Sequence, residues 1–282
     1  ERRQKAGKTT FEYGAYVAYR WQDRDVPASY LPLDHTVQLS ANQSMKRGYN
    51  AAAVDGWARL TLPRGRIEAE VALLYAKIDQ ASLLPGALLR RPVESLQFGA
   101  AVESEFGKAE DRVSGGLDLG LASGDPAYGF GVHQDPLAPQ PKQGDLDGPQ
   151  ANPPLDDHAD NFRFHPDYRV DRILFREIIG TVTDAVYIRP HARLTALDLG
   201  TSQVTVSLTA IASFALNASS TPGGEAPLGV ELDPTIAYRH KDGFGVALEH
   251  AVLFPLAGLD NKELNLQAKP AQLLRLRAAY VF

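Results

Sequence analysis

The stretch Phe11-Glu12-Tyr13-Gly14-Ala15-Tyr16-Val17-Ala18-Tyr19-Arg20-Trp21 decides the fold. Successive side chains of an extended chain point to opposite faces. Phe11, Tyr13, Ala15, Val17, Tyr19 and Trp21 therefore share one face, and Glu12, Gly14, Tyr16, Ala18 and Arg20 share the other. The apolar face carries aromatics at both ends, as a lipid-facing strand does between the two interfacial girdles of a membrane barrel.

The same alternation recurs along the chain. It predicts strands over Ala52 to Leu62, Ile67 to Tyr75, Leu96 to Phe106 and Val113 to Leu121. After a long gap it returns over Val186 to Thr195, Val204 to Phe214, Leu232 to His240, Phe244 to Phe254 and Leu274 to Phe282. About ten strands result. Tight connections at Pro63-Arg64-Gly65, Gly107 to Asp111, Asp198 to Thr201 and Lys241-Asp242-Gly243 alternate with polar stretches at 23–49, 79–92, 123–183, 217–229 and 255–271. Short turns on one side and long loops on the other are the habit of outer-membrane barrels. Pro190 inside one strand and Pro234 near the start of another fit less well, because proline cannot donate to a ladder.

The fold class expected is therefore all-β, an antiparallel up-and-down transmembrane barrel. Residues 1–282 form that barrel as one domain, or the C-terminal part of a larger one. Residues 123–183 are expected to be a long extracellular loop. Its first part is rich in Pro, Gly and Asp, while Val170, Ile173, Leu174, Phe175, Ile178 and Ile179 recur at helical spacing between Pro166 and Gly180. That spacing predicts a short helix at about 167–179.

Composition excludes several classes. Hydrophobic residues make up 44% and charged residues 22% of the 282, and mean hydropathy is -0.23. No apolar window is long enough for a spanning helix, so a closed barrel is the one way this sequence could cross a bilayer. A net charge of -5 with both signs interspersed argues against nucleic acid as a partner. The absence of cysteine excludes disulfides and thiolate metal sites. The chain opens at Glu1-Arg2-Arg3-Gln4-Lys5 without Met or an apolar leader, so either a signal peptide has been removed or the chain is an excised part of a longer protein; we expect excision, with further strands upstream.

Leu274, Leu276, Ala278, Tyr280 and Phe282 alternate and end on an aromatic. This resembles the C-terminal assembly signal of Gram-negative outer-membrane β-barrels, and implies the bacterial outer membrane, its lipid and the barrel assembly machinery as location and partners. Gly229 to Leu256, with Glu231, Asp233, Tyr238, Lys241-Asp242-Gly243 and Val252-Leu253-Phe254-Pro255-Leu256, is similar to the penultimate hairpin of alginate-export-type porins.

The inward faces are expected to line a lumen with Arg20, Arg59, Glu68, Glu70, Glu103, Glu105, Arg112, Asp118, Arg189, His191, Arg193, Arg239, Glu249, Arg275 and Arg277, joined by Glu12 and Asp55. In a wide barrel these would set selectivity for small polar solutes; in a narrow one they would pair and fill it. Arg189, His191, Arg193, Arg275 and Arg277 could instead form an anion-selective ladder. Asp145, Asp147, Asp156, Asp157, Asp160 and Asn161 match no calcium motif and read as an ordinary acidic loop. No nucleophile, zinc or phosphate-loop motif occurs, so neither catalysis nor a cofactor is expected. The function expected is porin-like passage of small polar solutes. The alternatives are a non-conducting structural or adhesive barrel and a soluble β-protein.

Overall fold

The computed structural model describes residues 9–25, 44–81, 91–108, 110–131, 143–144, 146 and 157–281. Ten strands form one sheet in chain order, each antiparallel to the next. They are β1 (Thr10–Asp25), β2 (Met45–Leu62), β3 (Gly65–Ile78), β4 (Val93–Phe106), β5 (Val113–Ala122), β6 (Ala185–Asp198), β7 (Ser202–Ala215), β8 (Pro227–His240), β9 (Phe244–Pro255) and β10 (Ala271–Tyr280). Every strand read from alternation is present, and the up-down meander follows from it. Most begin within three residues of the expected start, while β2 begins well before it at Met45 and β8 at Pro227. Most of the loops at 23–49 and 79–92, the residues Asp145, Asp147 and Asp156, and Phe282 lie outside the described residues.

Register fixes the faces. Val17 pairs with Val54, Val71 with Ala100, Leu119 with Ile188, Leu208 with Pro234 and Leu248 with Leu276. One face of the sheet is thus apolar from edge to edge. Its large side chains stand in the open: Val17, Val71, Leu119, Ile188, Leu208, Ile236, Leu248 and Leu276 are all exposed. Aromatics flank this belt, with Phe11, Tyr13, Phe106, Phe244 and Tyr280 toward the tight turns and Tyr19, Trp21, Tyr75, Phe214 and Phe254 toward the long connections. Exposure is greatest on the edge strands, 70% at Val17 and 71% at Leu276 against 41% at Leu119 in mid-sheet. Among the described residues β1 pairs with β2 alone and β10 with β9 alone.

The two prolines in strand interiors, Pro190 and Pro234, interrupt the ladders beside them. The β6–β7 register skips from Ile188–Ala212 to His191–Thr209 around Pro190. The β8–β9 register skips from Leu232–Val252 to Thr235–Glu249 around Pro234.

The segment at 157–183 differs from its expected form. The stretch through Asp160 is expected to have no core of its own; beyond it the segment crosses the other face of the sheet, here termed the inner face, and holds much of the buried apolar surface. Phe164, Val170, Leu174, Phe175 and Val182 pack there with Tyr187, Ile211 and Leu253 of the strands. The expected helix at 167–179 is reduced to one π-helical turn, Leu174–Ile178, in which Ile178 N–H donates to the Ile173 carbonyl at 3.1 Å. Ile173 is not helical, at φ -122°. The apolar spacing of this run therefore reports burial against a sheet. Gly180, at φ +92°, ends the turn at the expected place.

Candidate functional site

Glycines on the inner face let the segment and the neighbouring strands close in. A Cβ at Gly99 would overlap the Phe162 ring, one at Gly120 would overlap Tyr187, and one at Gly116 would meet the Ser104 carbonyl. Glycine inside a strand commonly marks such close approach. Tyr168 and Tyr187 then bring their hydroxyls to 3.2 Å.

The segment is anchored by charge at mid-sheet. Glu231, 1% exposed, accepts the backbone N–H groups of Arg172, Ile173 and Leu174 at 2.9, 2.9 and 3.0 Å. Three amides that a helix would leave unpaired are thus satisfied by a strand carboxylate, which explains the absence of a longer helix. Arg172 donates to the carbonyls of Pro234 and His250 at 3.2 and 2.9 Å and to Thr235 Oγ1 at 2.7 Å. Its guanidinium fills the ladder gap at Pro234. Asp171 accepts from Phe175 and Arg176 N–H. Burial, then the charge of Glu231, pushes its carboxyl up to about 7. Beside this cluster lies Asp233, whose Oδ1 is buried without a partner.

Each residue read as lumen-lining belongs to the inner face by register except Arg112, which precedes β5, and the residues fall into two groups. On β5 to β10 Arg189, Arg275 and Arg277 are paired with carboxylates. Arg189 bonds Asp118 and donates to the Val170 carbonyl. His191 lies 3.6 Å from both Asp118 and Glu105. Arg193 reaches Ser114 at 3.1 Å. Glu249 gathers Arg275 at 3.9 Å, Arg277 at 3.2 Å and Arg172 at 4.0 Å. The anion ladder is therefore neutralised along Arg189, Arg275 and Arg277. Arg112 and Arg239 stand exposed nearer the tight turns.

On β1 to β4 the balance is acidic. Arg59 joins Glu12 and Glu68, and Arg66 joins Glu68 and Glu103. Arg20 lies over the Tyr49 ring at 5.9 Å. Glu70 faces Asp55 and Glu103, and among the described residues no cationic side chain lies within 4 Å of Glu70 or Asp55. Here the pairs run between neighbouring strands, apart from Arg66 and Glu68, which both lie on β3.

Two hollows open in this acidic half. One, of about 260 Å³, lies between Glu70, Ala72 and Gly99 of the sheet and Phe162, Arg163 and Tyr168 of the segment. The other, of about 270 Å³, adjoins it at Glu70 and Tyr168 and extends to Trp57 and Arg59. No protein-family model matches this chain, and no curated protein does. The residues themselves therefore carry the functional argument. Sequence reading missed Asp171, Arg172, Glu231 and Asp233 as a group. The available signal was an Asp-Arg pair embedded in the apolar run from Val170 to Ile179, which an exposed loop has no reason to carry.

Toward the long connections a second buried carboxylate, Asp184 at φ 46°, accepts from Ser220 Oγ and from the Asn217 backbone and side-chain amides. Burial raises it to about 6 against the pull of these bonds. It ties the start of β6 to the β7–β8 connection. Among the described residues no three His, Asp or Glu side chains gather as a set of metal ligands.

Proposed function

We propose that the chain is the wall of a bacterial outer-membrane β-barrel with a porin-like lumen for small polar solutes, narrowed by its own segment 157–183. One observation carries this reading: the sheet is inside out. Its exposed face is apolar across all ten strands, and its covered face bears the charges. A soluble protein has no reason to leave so broad an apolar belt in water, and lipid removes that cost. Dimensions agree. From Phe11 to Trp21 the strand extends about 33 Å at about 3.3 Å per residue, or about 25 Å of height at a tilt of about 40°, matching the apolar band of such barrels.

Two edge strands with one partner each suit a wall continued by further strands, since open edges are not tolerated in hydrocarbon. A second reading, a structural barrel that does not conduct, is favoured by the anchored segment and the paired arginines. The two tryptophans test the orientation shared by both membrane readings, because Trp21 lies on the apolar face and Trp57 on the inner face. In single-tryptophan variants reconstituted in vesicles, brominated acyl chains should quench Trp21 strongly and Trp57 little. The reverse pattern, or a protein that stays in solution without detergent, overturns the reading.

A further inference from the structure

The 260 Å³ hollow has two charged walls and no internal salt bridge between them. On the sheet side stands Glu70, with Asp55 beside it. Facing it from the segment is Arg163. Burial alone lowers the proton affinity of its guanidinium, and among the described residues no carboxylate lies within 4 Å. Between them Phe162 and Phe164 form an edge-to-face pair at 5.8 Å, and Phe164 and Tyr168 another at 5.3 Å. Phe162 is seated over Gly99, where any side chain would expel it.

The cavity thus offers a cation partner, an anion partner and an aromatic wall, and among the described residues neither Glu70 nor Arg163 lies within 4 Å of an opposite charge. Most of the other inner-face charges are neutralised by neighbours. Glu70 and Arg163 both stay open to solvent at the rim of the hollow, and a solute bearing both complementary charges would meet both at once. A purely cationic solute would leave Arg163 unmet, and a purely anionic one would leave Glu70 unmet.

We propose that this hollow is a subsite for a zwitterionic solute of the α-amino-acid class with an apolar side chain. The ammonium group meets Glu70, the carboxylate meets Arg163, and the side chain lies against Phe162, Phe164 and Tyr168. This deepens the porin-like reading by naming a solute class, and rests on it for the hollow lying on a solute path.

Binding is measured by calorimetry on the full chain folded in detergent, so that it needs no conduction. The probes are L-phenylalanine, phenethylamine, which lacks the carboxylate, and 3-phenylpropionate, which lacks the ammonium group. L-Phenylalanine should bind at least tenfold more tightly than either. Glu70→Gln should weaken L-phenylalanine and phenethylamine but not 3-phenylpropionate, and Arg163→Gln should weaken L-phenylalanine and 3-phenylpropionate but not phenethylamine. The wild-type series decides the question even if a variant fails to fold. Equal or tighter binding of phenethylamine or 3-phenylpropionate, or no binding of L-phenylalanine up to its solubility, overturns the subsite. None of these outcomes bears on the tryptophan quenching that tests orientation.

Discussion

Arg172 occupies the break that Pro234 makes in the sheet: its Nη1 donates to the Pro234 carbonyl at 3.2 Å and to the His250 carbonyl at 2.9 Å. Proline cannot donate to the ladder, and the register between β8 and β9 is interrupted there. A side chain from 62 residues earlier in the chain supplies the missing donors.

Arg172→Ala should therefore lose about 2–3 kcal/mol, the scale of a charged hydrogen bond with its acceptors left bare. Arg172→Lys should recover only part, because one ammonium group lacks the planar fork that reaches several acceptors. Denaturant unfolding in detergent measures both. A lysine variant as stable as the parent would show that the fork is not what matters.

Acid should tighten the inner segment. Asp171 is raised to about 7 and Asp184 to about 6, each chiefly by burial, against an unfolded value near 4. The folded state therefore binds more protons than the unfolded one between those limits. The stability each group contributes is fully present below about pH 4 and is lost as pH rises through about 6 for Asp184 and about 7 for Asp171. Trypsin cleavage after Arg172 and Arg176 should accordingly be slower at pH 5.5 than at pH 8. Asp171→Asn should flatten much of that difference, and an unchanged pH profile in the variant would remove Asp171 as the cause.

Arginine placed at Ala100, Ala192 or Leu208 should impair assembly by about 2–4 kcal/mol, the cost at bilayer mid-depth. All three lie on the apolar face by register. Arginine at inner-face Thr205 or Thr209 should be milder. Ser114 is a poor control despite facing inward, because it is 5% exposed and its hydroxyl accepts from Arg193. Equal yields of folded, heat-modifiable protein from the two sets would show that the apolar face does not meet lipid.

The strands were legible because a period of two survives any sequence context once one face is apolar: Phe11 to Trp21 and Val204 to Phe214 needed nothing else. Met45 to Ala51 and Pro227 to Glu231 lack that alternation and join the sheet through pairing with Gln80-side and β9 neighbours, so they read as loop. The inner-face assignment of the charged residues followed from the same period. What remained hidden was the path of residues 157–183. Its apolar residues looked helical, while the partner that sets its shape, Glu231, lies 58 residues beyond Ile173. Gly99 on an inner position was the overlooked hint, since it gives up a side chain where the Phe162 ring of the segment sits, whereas Gly116 and Gly120 make room for Ser104 and Tyr187 of the sheet itself.

The last prediction concerns conduction. Residues 1 to 282 alone should not give a steady open pore. About ten strands that close on themselves enclose little more than side chains can fill, and here the half of the inner face toward the long connections already carries Phe164, Leu174, Phe175 and Val182 packed on Tyr187, Ile211 and Leu253. If they do not close, β1 and β10 present bare edges to lipid, and the assembly must pair them with further strands before it can hold a stable lumen. Both routes lead to silence or to irregular, short-lived steps in planar bilayers. Loosening the anchor with Arg172→Ala should raise the frequency of such steps without making them steady, because the edges are untouched. Steady, large conductance from the refolded chain would sink this account, and would mean both that ten strands close and that segment 157–183 leaves a continuous path beside it.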